Sequence, residues 1–308
     1  MFLTLILSSF LTFMELNCEN LFDMRHDSLK NDLEFLPDGS YKWMPYRYWA
    51  KLNHLGQEIV AQSNPIPDFV AMCEVENDSV MFDLTRRSLL RNAGYEYVMT
   101  SSPDERGIDV ALLYQPASFA LLHSHSIRIK PLPDTRPTRD ILYVSGLIIT
   151  GDTLHVFVVH APSRRGGELA SRPYRLHVAD RLAAAVDSIY AESRDAKIIV
   201  AGDFNDYADS PALKRLYQHH LINISHDARG THGAKATYRW HGEWRSLDQV
   251  LCSPSMAKAK QKCQIGDQPF LLEDDEKYGG KKPYRTFLGP RYLGGYSDHL
   301  PLLVQFVF

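Results

Sequence analysis

Between Lys197 and Pro211 the chain reads KIIVAGDFNDYADSP. Asp203 and Asn205 stand two apart, just after Gly202, at the end of the apolar run Ile198–Ala201. A short β-branched run ended by glycine reads as a buried strand. A carboxylate and a carboxamide on such a rigid strand end suit a catalytic arrangement. The same residues also read as an Asx-rich turn, so this segment alone leaves both readings open and matching groups elsewhere must decide.

Such groups exist. Asn17, Glu74, His160, Asp203 with Asn205, Asp248, and Asp298 with His299 all end or interrupt otherwise apolar strands. Burying each carboxylate alone is costly, so each needs partners. Facing one another around a divalent cation supplies them. Oxygen ligands without thiolates favour Mg2+, Mn2+ or Ca2+ over zinc. Glu74 and Asp298 bring charge, and Asn17 brings a neutral oxygen. Two histidines beside such an ion suit acid–base work or phosphate binding. Carboxylates next to them fix the tautomer and raise basicity. Together these parts suit the hydrolysis of a phosphate ester.

The elements that must position these groups follow from the apolar patterning. Strands are predicted over 11–16, 69–73, 95–100, 108–114, 119–129, 139–150, 154–159 and 300–308. Helices are predicted over 46–62, from a cap at Asp78 to about Ala93, over 172–192, and after Ser210-Pro211. Residues 237–240 and 244–253 read as a hairpin with Asp248 inside its second strand, and 264–295 as a long surface loop. Strands in series with few helical crossovers imply largely antiparallel sheets with helices on their outer faces. The polar strand ends spread over the whole chain without repeat or linker, so a single domain over 1–308 is expected.

A composition of 44% hydrophobic and 23% charged residues is that of an ordinary soluble globular protein. A net charge of −3 argues against a protein coated in positive potential, though not against a local basic cleft. The four cysteines are irregularly spaced and form neither a zinc pattern nor a disulfide framework. Cys18 and Cys73 read as small buried hydrophobes. Residues 1–11 read either as the remnant of an export signal or as an extension of the first strand, and are too short to span a membrane. The expected location is cytoplasmic, or exported if that remnant is a truncated signal. No obligate protein partner is indicated.

The motifs NCENLFD (17–23), AMCEVEN (71–77), VVHAPS (158–163), AGDFND (201–206), SLDQVL (246–251) and YSDHLPLL (296–303) together resemble the endonuclease/exonuclease/phosphatase superfamily. They occur in family order and cover nearly the whole chain. The ends of the chain look most like bacterial members of undefined substrate. The resemblance implies an α/β fold, a four-layer α/β sandwich of two mixed, mostly antiparallel sheets packed face to face with helices outside. It implies Glu74 as main metal ligand with Asn17 and Asp298 nearby. It implies Asp203 as the group that activates or orients water, and Asn205 as the group that holds that water or the phosphate. It implies His299, paired with Asp248, as base or phosphate ligand. It implies His160 as the group that stabilises a phosphoryl oxygen or protonates the leaving group, and a histidine there weighs against the apurinic-endonuclease branch.

Beside these, Asp109 is read either as orienting His160 or as a charged strand start. Ser163, Arg164 and Arg165, on the loop after His160, are read as substrate contacts or solvated charges. Arg172 and Arg175 read as an exposed helix start, and Tyr238 as hairpin packing. The expected activity is a Mg2+-dependent phosphoric ester hydrolase, with phosphodiester cleavage of nucleic acid first. The alternatives are a small phosphate ester as substrate and, from another class, a non-catalytic binding protein on the same fold.

Overall fold

The computed structural model describes residues 10–133 and 135–308. Residues 1–9, most of the export-signal segment, lie outside the described residues, while Phe10 and Leu11 open the first strand. β1 (Phe10–Leu21) passes through α1 (Pro45–Val60) to β2 (Phe69–Val75). α2 (Asp78–Arg86) follows, then β3 (Glu96–Met99), β4 (Asp109–Tyr114), β5 (Phe119–Ile127), β6 (Ile141–Ile148) and β7 (Thr153–His160). α3 (Glu168–Glu192) carries the chain to β8 (Lys197–Asp203), and α4 (Pro211–Tyr217) to β9 (Ile222–Asn223). β10 (Tyr238–Trp240) and β11 (Glu243–Arg245) form a hairpin, followed by β12 (Asp248–Cys252), α5 (Pro254–Ala259) and β13 (Lys260–Ile265). Two small hairpins, β14 (Leu272–Asp274) with β15 (Lys281–Pro283) and β16 (Phe287–Leu288) with β17 (Arg291–Tyr292), precede β18 (Leu302–Val307).

One six-stranded sheet has the order β13-β18-β1-β2-β4-β3 and the other β5-β6-β7-β8-β12-β9. Each has one parallel pair, β1 with β2 and β7 with β8, and antiparallel neighbours elsewhere. A parallel pair needs a crossover, and α1 and α3 provide it. Alternate residues of the strands face a shared core: Leu11, Phe13, Ala71 and Leu112 from one sheet meet Val144, Val156, Val158 and Ile199 from the other. The outer faces are covered by α1 and α2 on one side, through Leu52, Leu55 and Val80, and by α3 and α4 on the other, through Leu182, Val186 and Leu213. The result is the four-layer α/β sandwich expected from the motifs. Among the described residues no helix is long and apolar enough to cross a membrane.

Several local expectations are corrected. Asn77, not Asp78, caps α2 by accepting the Val80 N–H at 3.0 Å. That helix ends at Arg86 because Ser88 turns its side chain onto the Leu90 N–H and starts a separate 3-10 turn. α3 begins at Glu168, so Arg175 lies in its second turn and is fully buried, with Nε 2.9 Å from Asp206 Oδ2. Asp248 is not inside a long hairpin strand. The hairpin ends at Arg245, and Asp248 opens β12 in the main sheet.

On its sheet-facing side α1 buries Lys51 and Glu58. Neither carboxyl oxygen of Glu58 has a hydrogen-bond partner among the described residues. Burial pushes its pKa up to about 8, with Lys51 opposing the rise. The folded protein therefore keeps this proton over a range where the unfolded chain has already lost it. Its contribution falls as pH rises from the ordinary carboxylate range to about 8, then levels off. Glu58→Met is expected to remove that fall, up to ~1.4 kcal/mol per pH unit. In thermal melts at a series of pH values, the variant's Tm advantage should grow toward about pH 8; a constant difference would mean that Glu58 does not titrate there.

Candidate active site

Because β7 and β8 are parallel, they end at the same edge of their sheet. Their register sets His160 beside Asp203, and antiparallel β12 sets Asp248 beside Asp203. One row across three strands thus carries an imidazole and two carboxylates. From the other sheet, Asn17 donates Nδ2–H to Asp203 Oδ2 at 3.1 Å. Cys73, the register partner of Asn17, ties the same place together. Its thiol donates to the Val159 carbonyl at 3.3 Å, and its sulfur accepts the Asp203 N–H at 3.4 Å. Cys73 is thus more than a small hydrophobe. Gly202 allows the close approach within the sheet. Its φ is +143°, and a Cβ there would lie 1.8 Å from the Val159 carbonyl oxygen.

The strands of the first sheet are irregular here. Bulges interrupt β1 between Asn17 and Leu21 and β2 between Cys73 and Val75. Glu19, Asn20, Glu74 and Asn205 all have positive φ, at 49°, 57°, 63° and 50°. Non-glycine residues rarely adopt that region, and such strain gathers at functional sites. The bulge aims Glu74 across the sheet end, a usual effect of this irregularity. Its Oε2 accepts the Asn20 N–H at 2.8 Å, and Oε1 lies 3.8 Å from His160 Nε2.

Asp203 is the hub. Oδ1 accepts the Asn205 N–H at 2.7 Å, and Oδ2 accepts the side-chain N–H groups of Asn205 and Asn17, both at 3.1 Å. Burial pushes Asp203 up to about 7; His299 opposes that shift and Asp248 adds to it. His299 donates Nδ1–H to Asp248, 2.8 Å from Oδ2 and 3.0 Å from Oδ1. Asp248 also accepts the Thr237 hydroxyl. Burial works against a charged His299, but Asp248, its hydrogen bond, Asp298 and Asp203 outweigh it and hold the imidazole well above its usual value. His160 is the opposite case. Burial, then Arg139 and Arg106, press it well below the usual value, so it is a neutral imidazole. Its Nε2 is 3.6 Å from Asp203 Oδ2, and Nδ1 has no partner among the described residues.

Asp109 does not orient His160. Its carboxylate accepts from the Thr100 hydroxyl at 2.5 Å and the Ser102 N–H at 3.0 Å. Ser163 and Arg165 border the site cavity, whereas Arg164 packs over the Tyr207 ring at 4.4 Å. Asp298 lies beside the cavity with Oδ2 2.9 Å from Arg285 Nη2. Among the described residues, ligand atoms of Asp203, Asp248 and His299 lie within 4.8 Å of one another.

Sequence reasoning missed Arg285, Glu19, Arg106 and Arg139, all of which line this cavity of about 330 Å³. Arg285 comes from the stretch read as surface loop. Glu19, buried, holds that stretch by accepting the Thr286 N–H at 2.6 Å and the Phe287 N–H at 3.1 Å, with Arg285 Nε at 3.4 Å. Burial, then Asp298, pushes Glu19 up to about 7. Tyr238 likewise belongs to the site, its ring centroid 4.8 Å from that of His299. Position Glu19 inside the NCENLFD motif was the one available signal; nothing local marks the arginines.

The profile described as Endonuclease/Exonuclease/phosphatase family matches residues 12–307. No curated protein sequence matches the chain. Among solved structures, an endonuclease/exonuclease/phosphatase family protein from Bacteroides thetaiotaomicron is 15% identical, with a TM-score of 0.64 and 98% of each chain covered. The mannosyl-6-phosphatase of Bacteroides thetaiotaomicron is 16% identical, with a TM-score of 0.66 over 97% of this chain and 100% of that one. The human nocturnin catalytic domain, with bound sulfate anion, is 19% identical, with a TM-score of 0.57 and 97% of each covered. At these identities the likeness is one of fold.

The sheet-end packing makes a direct prediction. Gly202→Ala is expected to cost about 3 kcal/mol or more, from its positive φ and its clash with the Val159 carbonyl. Gly166→Ala is the control, with φ +84° and nothing within 4 Å of the new Cβ, at about 1–2 kcal/mol. Urea unfolding of both variants decides it; equal losses would mean that the approach at Gly202 relaxes freely.

Proposed function

The chain belongs to the endonuclease/exonuclease/phosphatase family, and from that premise we propose that it is a divalent-metal-dependent hydrolase of small phosphoric esters. The observation that carries this reading is the composition of the cavity. Glu19, Glu74, Asp203 and Asp298 meet Arg106, Arg139, Arg165 and Arg285 around about 330 Å³. Carboxylate oxygens are the ligands a hard cation takes, and guanidinium groups match phosphate oxygens. The volume suits a small ligand. A net charge of −3 does not suit a duplex-binding surface. A small ester is therefore placed ahead of nucleic acid, reversing the order expected from the sequence.

The donors fit a hard divalent ion such as Mg2+. They are carboxylate and carboxamide oxygens with no thiolate among them. Glu74 keeps Oε1 free of hydrogen bonds among the described residues, and Asn17 and Asp298 would complete the set around it. The Asp203–Asp248–His299 cluster is less suitable, because both Asp248 oxygens already receive the imidazole N–H. When bound, the ion supplies charge neutralisation and polarisation of a phosphoryl oxygen.

The chain's own groups do the rest. Asp203, held by Asn17 and Asn205, takes the proton of the attacking water, and Asn205 orients that water. His299, charged and locked by Asp248, faces the phosphate as a fixed cation. His160, kept neutral by burial, donates a hydrogen bond to a phosphoryl oxygen. Arg285 adds a guanidinium beside the same oxygens.

Asp203→Ala and His299→Ala are each expected to lower kcat by ~10²–10³-fold, with p-nitrophenyl phosphate and a sugar phosphate as substrates. EDTA should abolish turnover and Mg2+ restore it. Wild-type rates in either variant, or activity after exhaustive EDTA, would sink the assignment, and preferential nicking of plasmid would restore the nuclease reading. A second test concerns Glu19 and Arg285. If Glu19 acts by holding Arg285, then Glu19→Ala, Arg285→Ala and the double variant should lose kcat/KM by about the same factor, roughly 10–100-fold. Additive losses would mean that Glu19 has a separate role.

A further inference from the structure

We propose that a groove beside the active-site cavity binds a second anionic group, so that the preferred substrates are phosphoric esters whose alcohol part carries another phosphate. This rests on the hydrolase reading above. The groove has a volume of about 420 Å³ and runs between residues 104–106, residues 129–132 and 135–139, and the start of α3 at Tyr174 and His177. It shares Arg106, Arg139 and Ser163 with the active-site cavity. A ligand with its reacting phosphate at His160 and Asp203 can therefore extend into it.

Among the described residues the charges in the groove do not cancel. Asp104 is committed to Arg139 Nη1 at 3.1 Å and to the Arg106 backbone N–H at 3.0 Å. Glu105 is paired with Arg136 at 3.3 Å. That leaves the Arg106 guanidinium and the Lys130 ammonium, neither of which has an ion-pair partner among the described residues. Lys130 is held in place through its backbone, whose carbonyl lies 2.9 Å from His177 Nε2.

Arg139 stands at the junction of the two spaces and is only 8% exposed. Its Nη1 is on Asp104, and its Nη2 donates at 2.8 Å to the carbonyl of Ala161, the residue after His160. Its Nε has no partner among the described residues. The Arg106 guanidinium and the Lys130 ammonium, two cations lining one groove without an ion-pair partner among the described residues, make that groove a site for an oxyanion, and Arg139 joins it to the strand end that carries His160. Pro131, Pro137 and Pro162 in the wall offer no backbone N–H. The ester preferred is compact, because both phosphates must lie within adjoining cavities of about 330 and 420 Å³.

The test compares glucose 1,6-bisphosphate with glucose 6-phosphate in the presence of Mg2+, using wild type, Lys130→Glu, Lys130→Arg and Arg106→Ala. Wild type should favour the bisphosphate in kcat/KM by about tenfold or more. Lys130→Glu and Arg106→Ala should bring the ratio toward one, and Lys130→Arg should keep it. The same ratio is read in binding by calorimetry on Asp203→Ala, so the groove is judged even if turnover is absent. A wild-type ratio of one in both readouts, or a ratio that neither variant changes, overturns the groove while leaving metal-dependent hydrolysis standing. Faster turnover of an oligonucleotide than of the bisphosphate also overturns it. Absence of metal-dependent turnover of any ester, with the binding preference intact, overturns the hydrolase reading alone.

Discussion

Each sheet of this protein contains one parallel strand pair, and the rest of the architecture depends on where those two pairs end. A parallel pair brings two C-terminal strand ends to one edge, and it cannot be joined by a tight turn. The crossovers are α1 and α3, which must lie on outer faces because the inner faces pack on each other. Stacking the sheets then brings the ends of β1 and β2 opposite those of β7 and β8. Asn17, just before the bulge near the end of β1, meets Glu74, His160 and Asp203 at or next to the ends of their strands. Asp203 is bonded within its own sheet and to Asn17 and Cys73 of the other. It is both the centre of the site and the tie between the layers.

So much buried carboxylate at one edge raises the question of what balances it. Part of the balance is the set of arginines around the cavity, and part is protonation. Glu15 faces the inter-sheet space two residues before Asn17, and neither of its oxygens has a hydrogen-bond partner among the described residues. Burial first, then Asp248 and Asp203, raises it well above the carboxylate range. Under the site, its charged form is therefore disfavoured. Asp206 is removed from the account differently, by its buried pairing with Arg175. The first turns of α3 thereby brace the turn that presents Asn205, despite Pro173 inside the helix.

The stretch 264–295 shows how a polar, glycine-rich segment can be structural. It is tied to the sheet end by Glu19 and by the buried Lys51 of α1, whose Nζ donates to the Thr286 hydroxyl at 2.7 Å and to the Tyr296 carbonyl. Two short hairpins within it, β14–β15 and β16–β17, fix the approach of Arg285 to the cavity. A segment with no apolar periodicity of its own takes its conformation from buried charged groups elsewhere in the chain.

By itself the sequence determined most strands of the two main sheets, though not β9, β13 or the hairpins within 264–295, together with the two crossover helices and the residues at the strand ends. Those features are local: apolar runs, caps and glycines act within a few residues. The family motifs add order along the chain, and the four-layer arrangement they imply is the one the structure has. Tertiary structure alone decided which groups meet. Asp109 and His160 are both at strand ends, yet Asp109 is claimed by Thr100 and Ser102. Arg175 looked exposed by its place at a helix start and is buried by a carboxylate 31 residues away. Arg285 reaches the site through Glu19, 266 residues distant in sequence. Hydrogen bonds and ion pairs across such separations leave no periodicity behind, because they depend on the register of strands and the stacking of sheets and not on neighbours along the chain.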